Sequence, residues 1–306
     1  MSEAATQAII INALVKKYDK VTAVDGVSFS IKKGEMFGLL GPNGAGKTST
    51  INCICQLASF SGGTITVCDH DVVKDYRAAK RKIGLSPQEL TFDLYFSVID
   101  TLVYTGGYFG MRKAAAEARA KDLLTQFGLW EKKSAMFREL SGGMKRKANI
   151  AKALMHDPDI LILDEPTAGL DVESRYDLWE FIRNLNKQGT TIILTTHYIE
   201  EAHRLCERIG IIDRGKLVKI DLTKNIVDEL SRNVIRLYAE KDLPAAAFKG
   251  FEHEVHARHV DVFVGKKEQS KVLETLLKRL EGKGLSNFSI EEDTLENIFR
   301  RLVNGK

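Results

Sequence analysis

Eight consecutive residues, Gly41-Pro42-Asn43-Gly44-Ala45-Gly46-Lys47-Thr48, followed by Ser49, fit the pattern G-x-x-x-x-G-K-[ST] in full. Three glycines let the backbone wrap closely and aim its N–H groups at phosphate oxygens. A helix starting near Lys47 would add the positive end of its dipole. There the Lys47 ammonium would reach the β- and γ-phosphates of a nucleotide, and the Thr48 hydroxyl would ligate Mg2+.

A second group follows the apolar run Ile160-Leu161-Ile162-Leu163, which delivers two carboxylates in succession, Asp164 and Glu165. Acids at the C-terminal end of a buried strand sit where ligands bind in open α/β sheets. Asp164 would hold Mg2+ through water, and Glu165 would polarise an attacking water. A third group is Leu140-Ser141-Gly142-Gly143-Met144. Ser141 can cap a helix there, while Gly142 and Gly143 expose backbone N–H groups to an anion. Lys145, Arg146 and Lys147 add positive charge, and a plain capped helix with a solvated basic face would explain the same residues.

These groups need elements to position them. Alternation at Val27, Phe29 and Ile31 reads as a strand with one polar face. The short run 36–40 (MFGLL), bounded by Gly34 and Gly41, reads as a fully buried strand, as do 160–163, 191–194 and 209–212. Helical patterns at 174–188 and 199–207 lie between them, so the alternation predicts a parallel, doubly wound sheet. Lys47 and Asp164 are far beyond one βαβ unit apart in sequence. The intervening stretch, about 96–156, carries the helix-favouring runs 113–126 and 141–155 and no convincing strand. It reads as a helical subdomain inserted between two strands. After about residue 225 the pattern restarts, with strands at 234–239 and 260–264 and helices at 268–280 and 294–302. The expected division is a 1–225 domain and a small α+β domain over 226–306.

Composition narrows the function. The chain has 306 residues, with 45 Lys plus Arg against 41 Asp plus Glu, so the net charge of +4 offers no basic stripe for wrapping DNA. At 44% hydrophobic and 28% charged residues, a globular protein is expected. Cys53, Cys55, Cys68 and Cys206 form no CxxC pair and read as buried free thiols. The N-terminus lacks a signal-peptide pattern, and no window approaches the roughly 18 apolar residues of a membrane span. A cytoplasmic chain that cannot itself cross a membrane is expected.

Together the phosphate loop, the Leu-Ser-Gly-Gly element and the Asp-Glu pair resemble the ATP-binding cassette (ABC) ATPases over roughly residues 8–220. The smaller marks agree: Gln88 in Ser-Pro-Gln-Glu, Ala168-Gly169-Leu170-Asp171 after the acid pair, and His197 in Leu-Thr-Thr-His. The resemblance implies a P-loop NTPase sheet with an N-terminal antiparallel β subdomain, ATP and Mg2+ as ligands, and two copies paired head to tail. In such a pair Ser141, Gly142 and Gly143 would grip the γ-phosphate of ATP held by the partner, and Asp171 would sit across the interface. His197 would contact the γ-phosphate, Gln88 would link Mg2+ and water to a membrane partner, and Tyr18 would stack on adenine. Glu165, His197, Gln88 and Lys47 would thus carry the chemistry, with Thr48, Gln88 and Asp164 around the metal.

One departure is Met144, where most cassettes have Gln; Met cannot donate a strong hydrogen bond. Met followed by Lys-Arg-Lys resembles the bacterial type-2 exporter ATPases of the drug, sodium and nodulation-factor class. The stretch 291–299 resembles the closing helix of that subgroup. The implied protein is a peripheral exporter subunit at the cytoplasmic face of the inner membrane, working with separate transmembrane permease subunits and no nucleic acid. An importer ATPase shares every catalytic residue, and a ribosome-acting ABC ATPase is more distant because it usually carries two cassettes. A GTP switch lacks its Asn-Lys-x-Asp, since 186–189 reads Asn-Lys-Gln-Gly. Tyr95, Phe96, Tyr104, Tyr108 and Phe109 are candidates for the permease groove, with core packing expected for most. The histidines other than His197 read as structural.

Overall fold

A computed structural model describes residues 6–89, 92–93, 95–230, 232–239, 243–265 and 268–292. The chain divides into two compact units, Met1–Thr223 and Lys224–Lys306.

The first unit opens on a hairpin of β1 (Gln7–Tyr18) and β2 (Val21–Lys32). The apolar side chains of its alternating pattern, Ile9, Ile11, Val27 and Ile31, are all buried. Next come β3 (Met36–Leu40), α1 (Lys47–Ile54), β4 (Gly62–Val67), β5 (His70–Asp71), α2 (Tyr76–Arg81) and β6 (Ile83–Ser86). Three helices follow without a named strand between them: α3 (Val98–Tyr108), α4 (Lys113–Gln126) and α5 (Gly142–Ala153). The unit then alternates through β7 (Ile160–Asp164), α6 (Val172–Lys187), β8 (Thr191–Thr196), α7 (Ile199–Leu205), β9 (Arg208–Asp213) and β10 (Lys216–Leu222).

Two sheets result. A small antiparallel sheet runs β2-β1-β4-β5, and a larger one runs β10-β9-β3-β8-β7-β6. All pairs in the larger sheet are parallel except β9 with its edge strand β10. Every residue of β3, β7 and β8 is buried, as a sheet covered on both faces demands. α1 packs against β1, β2 and β7, and one core joins Ile9, Ile11 and Ile31 to Phe37, Leu39, Ile51, Ile54, Ile160 and Ile162. The Phe29 and Phe37 rings stack at 5.2 Å within it. That core fixes α1 to the sheet, so the loop between β3 and α1 starts and ends on rigid elements.

The second unit holds α8 (Thr223–Leu230), β11 (Arg232–Ala239), β12 (His253–Val255), β13 (His259–Gly265), α9 (Gln269–Leu280) and β14 (Leu285–Glu292). Its antiparallel sheet runs β12-β13-β11-β14. Ile235, Leu237, Val260 and Val262 meet Phe248, Leu276 and Leu280 in a separate core.

Two expectations need correction. Tyr95, Tyr104 and Tyr108 are 86%, 55% and 90% exposed, and Phe96 is partly so, hence these rings are not core residues. Phe109 alone packs flat, stacked at 3.6 Å on His156. Arg146 is also not a solvated cation: it is buried, for reasons given below. The helix expected at 294–302, and most of the closing segment 291–299, lie outside the described residues. Cys53, Cys55 and Cys206 are buried and free, and Cys68 is half-buried. Burial raises the Cys55 thiol to about 12, which keeps it an inert thiol.

Candidate functional site

The loop 41–46 turns sharply from β3 into α1. Gly44 and Gly46 adopt φ of +81° and +109°, a region that side chains rarely enter. A Cβ on Gly46 would stand 2.4 Å from the Ala23 carbonyl, so the loop fits against β2 only with glycine there. Lys47 is buried at the start of α1 and donates from Nζ to the carbonyls of Gly41 at 2.7 Å and Pro42 at 3.1 Å. Its ammonium is thereby curled under the loop, 3.5 Å from Glu165 Oε1. Burial lowers the Lys47 pKa, and the neighbouring Glu165 and Asp164 charges oppose that shift.

From β7 come the two acids. Asp164 accepts from Thr48 Oγ1 at 3.1 Å on Oδ2, and the Thr195 hydroxyl also donates to it. Glu165 holds φ at +47°, an uncommon conformation for a non-glycine residue, stabilised by its N–H donating to the Thr195 carbonyl at 3.0 Å. That twist turns the Glu165 carboxylate towards three neighbours. Gln88 Nε2 donates to Oε2 at 3.1 Å, His197 Nδ1 lies 3.2 Å from Oε1 without hydrogen-bond alignment, and Lys47 completes the set. Gln88 follows β6, His197 follows β8 and Lys47 follows the loop after β3, so three strand ends converge on the carboxylate that β7 delivers.

A cleft of about 280 Å3 lies over this cluster, lined by Ala23, Asn43, Gly44, Gly46, Lys47, Thr48, Ser49, Gln88 and Glu165. Thr48 is exposed towards it. The donor set suits Mg2+, which takes hard oxygen ligands and keeps several of its waters: the Thr48 hydroxyl can ligate the ion while the adjacent Asp164 carboxylate holds one of those waters. Thr48 Oγ1 and Asp164 Oδ2 are 3.1 Å apart.

The remaining sequence-identified residues lie elsewhere. Ser141 and Gly142 are exposed at the N-terminus of α5, where the Ser141 hydroxyl accepts from the Met144 N–H at 3.3 Å. Asp171 caps α6, accepting from the Ser174 N–H at 2.9 Å and its hydroxyl at 2.8 Å. Those two bonds hold its carboxyl below the usual carboxylate range. The two helix ends adjoin, since a Cβ on Gly143 would lie 3.2 Å from Ser174 Oγ. None of Ser141, Gly142, Gly143 and Asp171 lines the cleft of Lys47. Tyr18 ends β1, half-exposed, with Lys16 Nζ 4.2 Å above its ring.

Three supporting residues escape a motif reading. Arg146 donates to the Gln88 carbonyl at 2.7 Å, to Pro87 at 3.3 Å and to Ala168 at 3.5 Å. Asn149 Nδ2 donates to Ser86 Oγ at 3.0 Å. Both anchor the backbone around Gln88 from α5. Glu201, buried on α7, accepts from Thr167 Oγ1 at 2.7 Å and Trp179 Nε1 at 2.9 Å on one oxygen. Burial pushes its pKa up. Arg146 and Asn149 sit at helix positions three apart, a spacing that places both side chains on one face, but no local signal says that the face is covered.

Comparison with known proteins agrees with this geometry. The family described as "ABC transporter" matches residues 24–168. The linearmycin resistance ATP-binding protein LnrL of Bacillus subtilis (strain 168) is 38% identical over 297 residues, covering 94% of this chain and 96% of that protein. The Nod factor export ATP-binding protein I of Burkholderia orbicola (strain AU 1054) is 39% identical over 291 residues, covering 94% of each chain. Among solved structures, a dimeric bacterial ABC transporter cassette superposes with a TM-score of 0.65 at 25% identity, over 70% of this chain and 98% of its own. With relatives this similar along nearly their whole length, and with the phosphate loop, paired acids and parallel sheet in place, the chain belongs to the ABC transporter family as an ATP-binding ATPase subunit.

Proposed function

We infer that this ATPase drives export through separate transmembrane permease subunits, as two copies that pair head to tail around two ATP molecules. No helix among the described residues is long and apolar enough to cross a membrane, and the reading assigns the translocation path to other chains. The reading places the chain at the cytoplasmic face of the cell membrane. Two relatives, one named for Nod factor export and one for linearmycin resistance, together with the Met144-Lys-Arg-Lys sequence, favour an exporter over an importer.

The observation that carries the chemistry is Glu165, whose carboxylate meets Lys47, Gln88 and His197 at 3.1–3.5 Å beside the phosphate loop. In the proposed mechanism the backbone N–H groups of 43–49 and the Lys47 ammonium hold the phosphates. Mg2+, when bound, neutralises charge on the phosphate oxygens; Thr48 Oγ1 and Asp164 would hold it. Glu165 accepts the proton of the attacking water, whose oxygen bonds to the γ-phosphorus as the bond to ADP breaks. Gln88 orients that water through its hydrogen bond to Glu165, and His197 donates to the γ-phosphate. Tyr18 stacks on the adenine. Ser141, Gly142 and Gly143, at an exposed helix N-terminus, grip the γ-phosphate bound to the partner copy, with Asp171 alongside.

Co-purification from detergent-solubilised native membranes tests the transport reading. Recovery of a multi-spanning membrane protein in fixed ratio to the tagged chain, with ATP hydrolysis raised by it, is expected. Recovery of ribosomes, or of import-type subunits, would overturn it.

A further inference from the structure

The second unit carries a side-chain cluster that the nucleotide chemistry does not use. Of the seven histidines in the chain, three fall within seven residues, His253, His256 and His259, with Asp261 two positions on. The turn joining β12 to β13 brings His256 and His259 together: the His256 N–H donates to the His259 carbonyl at 2.9 Å. Their rings stack at 4.5 Å. Asp261 lies on β13 beneath them. His256 Nε2 is 3.7 Å from its Oδ2, and His259 Nε2 is 3.6 Å from its Oδ1. Glu254 Oε2, from β12, is 3.8 Å from His256 Nε2.

Ligand atoms about 2.0–2.1 Å from a tetrahedral Zn2+ stand about 3.3–3.5 Å from one another. Potential ligand atoms of His256, His259 and Asp261 lie within 4.8 Å of one another, the only such trio among the described residues. The two histidine rings are partly exposed, so a small swing closes the remaining gap. Asp261 is fixed by Arg236, which donates from Nε to Oδ1 at 2.8 Å and from Nη2 to Oδ2 at 3.0 Å. A carboxylate offers about four lone-pair sites, so these two bonds leave acceptor capacity on each oxygen. Arg236 then plays the part that outer partners play in metal sites, holding a ligand in orientation. Its own charge does not make the place cationic. Glu291 pairs with the same guanidinium at 3.0 Å, so Asp261, Arg236, Glu291 and Glu254 sum to a negative charge.

We propose that His256, His259 and Asp261, with Glu254 beside them, form a binding site for one divalent transition-metal ion of the Zn2+ class. The site is independent of the nucleotide reading, since it uses no residue of the ATPase machinery. The test is calorimetric titration of the nucleotide-free full chain with Zn2+, repeated on His256→Ala/His259→Ala. Both histidines sit at the surface, and unchanged circular dichroism checks that the double variant is folded. His256→Gln and His259→Gln, tested singly, serve if it is not. The expected result is one Zn2+ per chain, a step absent from the double variant and weakened at least about tenfold in each single one. Co2+ in place of Zn2+ should give the intense visible absorption of four-coordinate geometry. Zn2+ binding that survives both substitutions, or no one-to-one step in the native chain, would overturn the proposal.

Discussion

The N-terminus of α1 opens onto Lys47, Gln88 and His197, each within 3.5 Å of Glu165, whereas the N-terminus of α5 presents Ser141 and Gly142 to solvent. Both are helix starts with glycine and an anion-compatible field. They differ in what surrounds them. At α1 the charges are buried and mutually engaged, so fixed partners offset part of the burial cost. At α5 a cap satisfies one N–H through Ser141, and Asp171 caps the adjoining α6. On the proposed reading one region is the chemical apparatus and the other only a grip. A grip without its own reactive groups makes sense when the object gripped is bound to a second copy.

The largest effect should come from breaking the apparatus. Glu165→Gln keeps the shape and the contact with Gln88 but removes the base, so ATP hydrolysis should fall by roughly 10²–10⁴-fold. Phosphate release in single turnover measures it, and ATP affinity should stay near native. Rapid turnover in that variant would strip Glu165 of its role. Next in size, Lys47→Ala removes a charged donor from the loop and should weaken ATP binding by roughly 10–150-fold, read by fluorescent-nucleotide titration. Affinity within twofold of native would show that the loop's backbone alone holds the phosphates.

The grip should be gentler to lose. Ser141→Ala removes one hydroxyl donor to the γ-phosphate as well as the cap, so turnover should drop by about tenfold. ATP affinity of the isolated chain should not change, and that split between kcat and binding sharpens the contrast. An equal loss in binding by the lone chain would merge the two regions into one.

Smaller still is the support behind both. Thr167, between Glu165 and Asp171, is held by the buried Glu201. Burial raises the Glu201 pKa above its ordinary 4.5, so the folded chain retains a proton that the unfolded chain releases. That contribution is complete below about 4.5 and is lost as pH rises through the folded value. Glu201→Gln keeps an acceptor for Thr167 and Trp179 and cannot ionise. Between pH 5 and 8 its Tm should therefore gain on the native Tm, by about 2–4 °C for each kcal/mol. A difference that stays flat with pH would show that Glu201 does not titrate in the folded chain.

Much of the apparatus is legible in sequence because its parts are local. The phosphate loop is eight consecutive residues, and Asp164-Glu165 announce themselves at the end of a four-residue apolar run. The larger sheet is legible for the same reason, as buried strands such as 36–40 and 191–194 are short and wholly apolar or nearly so. β6 is less visible because Ile83-Gly84-Leu85-Ser86 is brief and glycine-broken, although it carries Gln88 into place. Arg146 shows the limit most clearly. Between two lysines it reads as part of a solvated basic face, yet its guanidinium is buried against the carbonyls of Pro87, Gln88 and Ala168. Burial by a distant segment leaves no trace in neighbouring residues. The exposed tyrosines 95, 104 and 108 show the reverse, since aromatic side chains suggest a core that does not cover them. In the second unit, His256 and His259 gain meaning only when a turn folds them over Asp261 and Arg236 reaches across from β11.

The central claim is that the α5 grip acts on nucleotide held by another copy. Light scattering of Glu165→Gln with Mg2+ and ATP measures this most directly. The account predicts a mass that doubles on adding ATP, returns to that of one chain with ADP, and fails to double when Ser141→Arg is added. A chain that binds ATP and keeps a single-chain mass would contradict it.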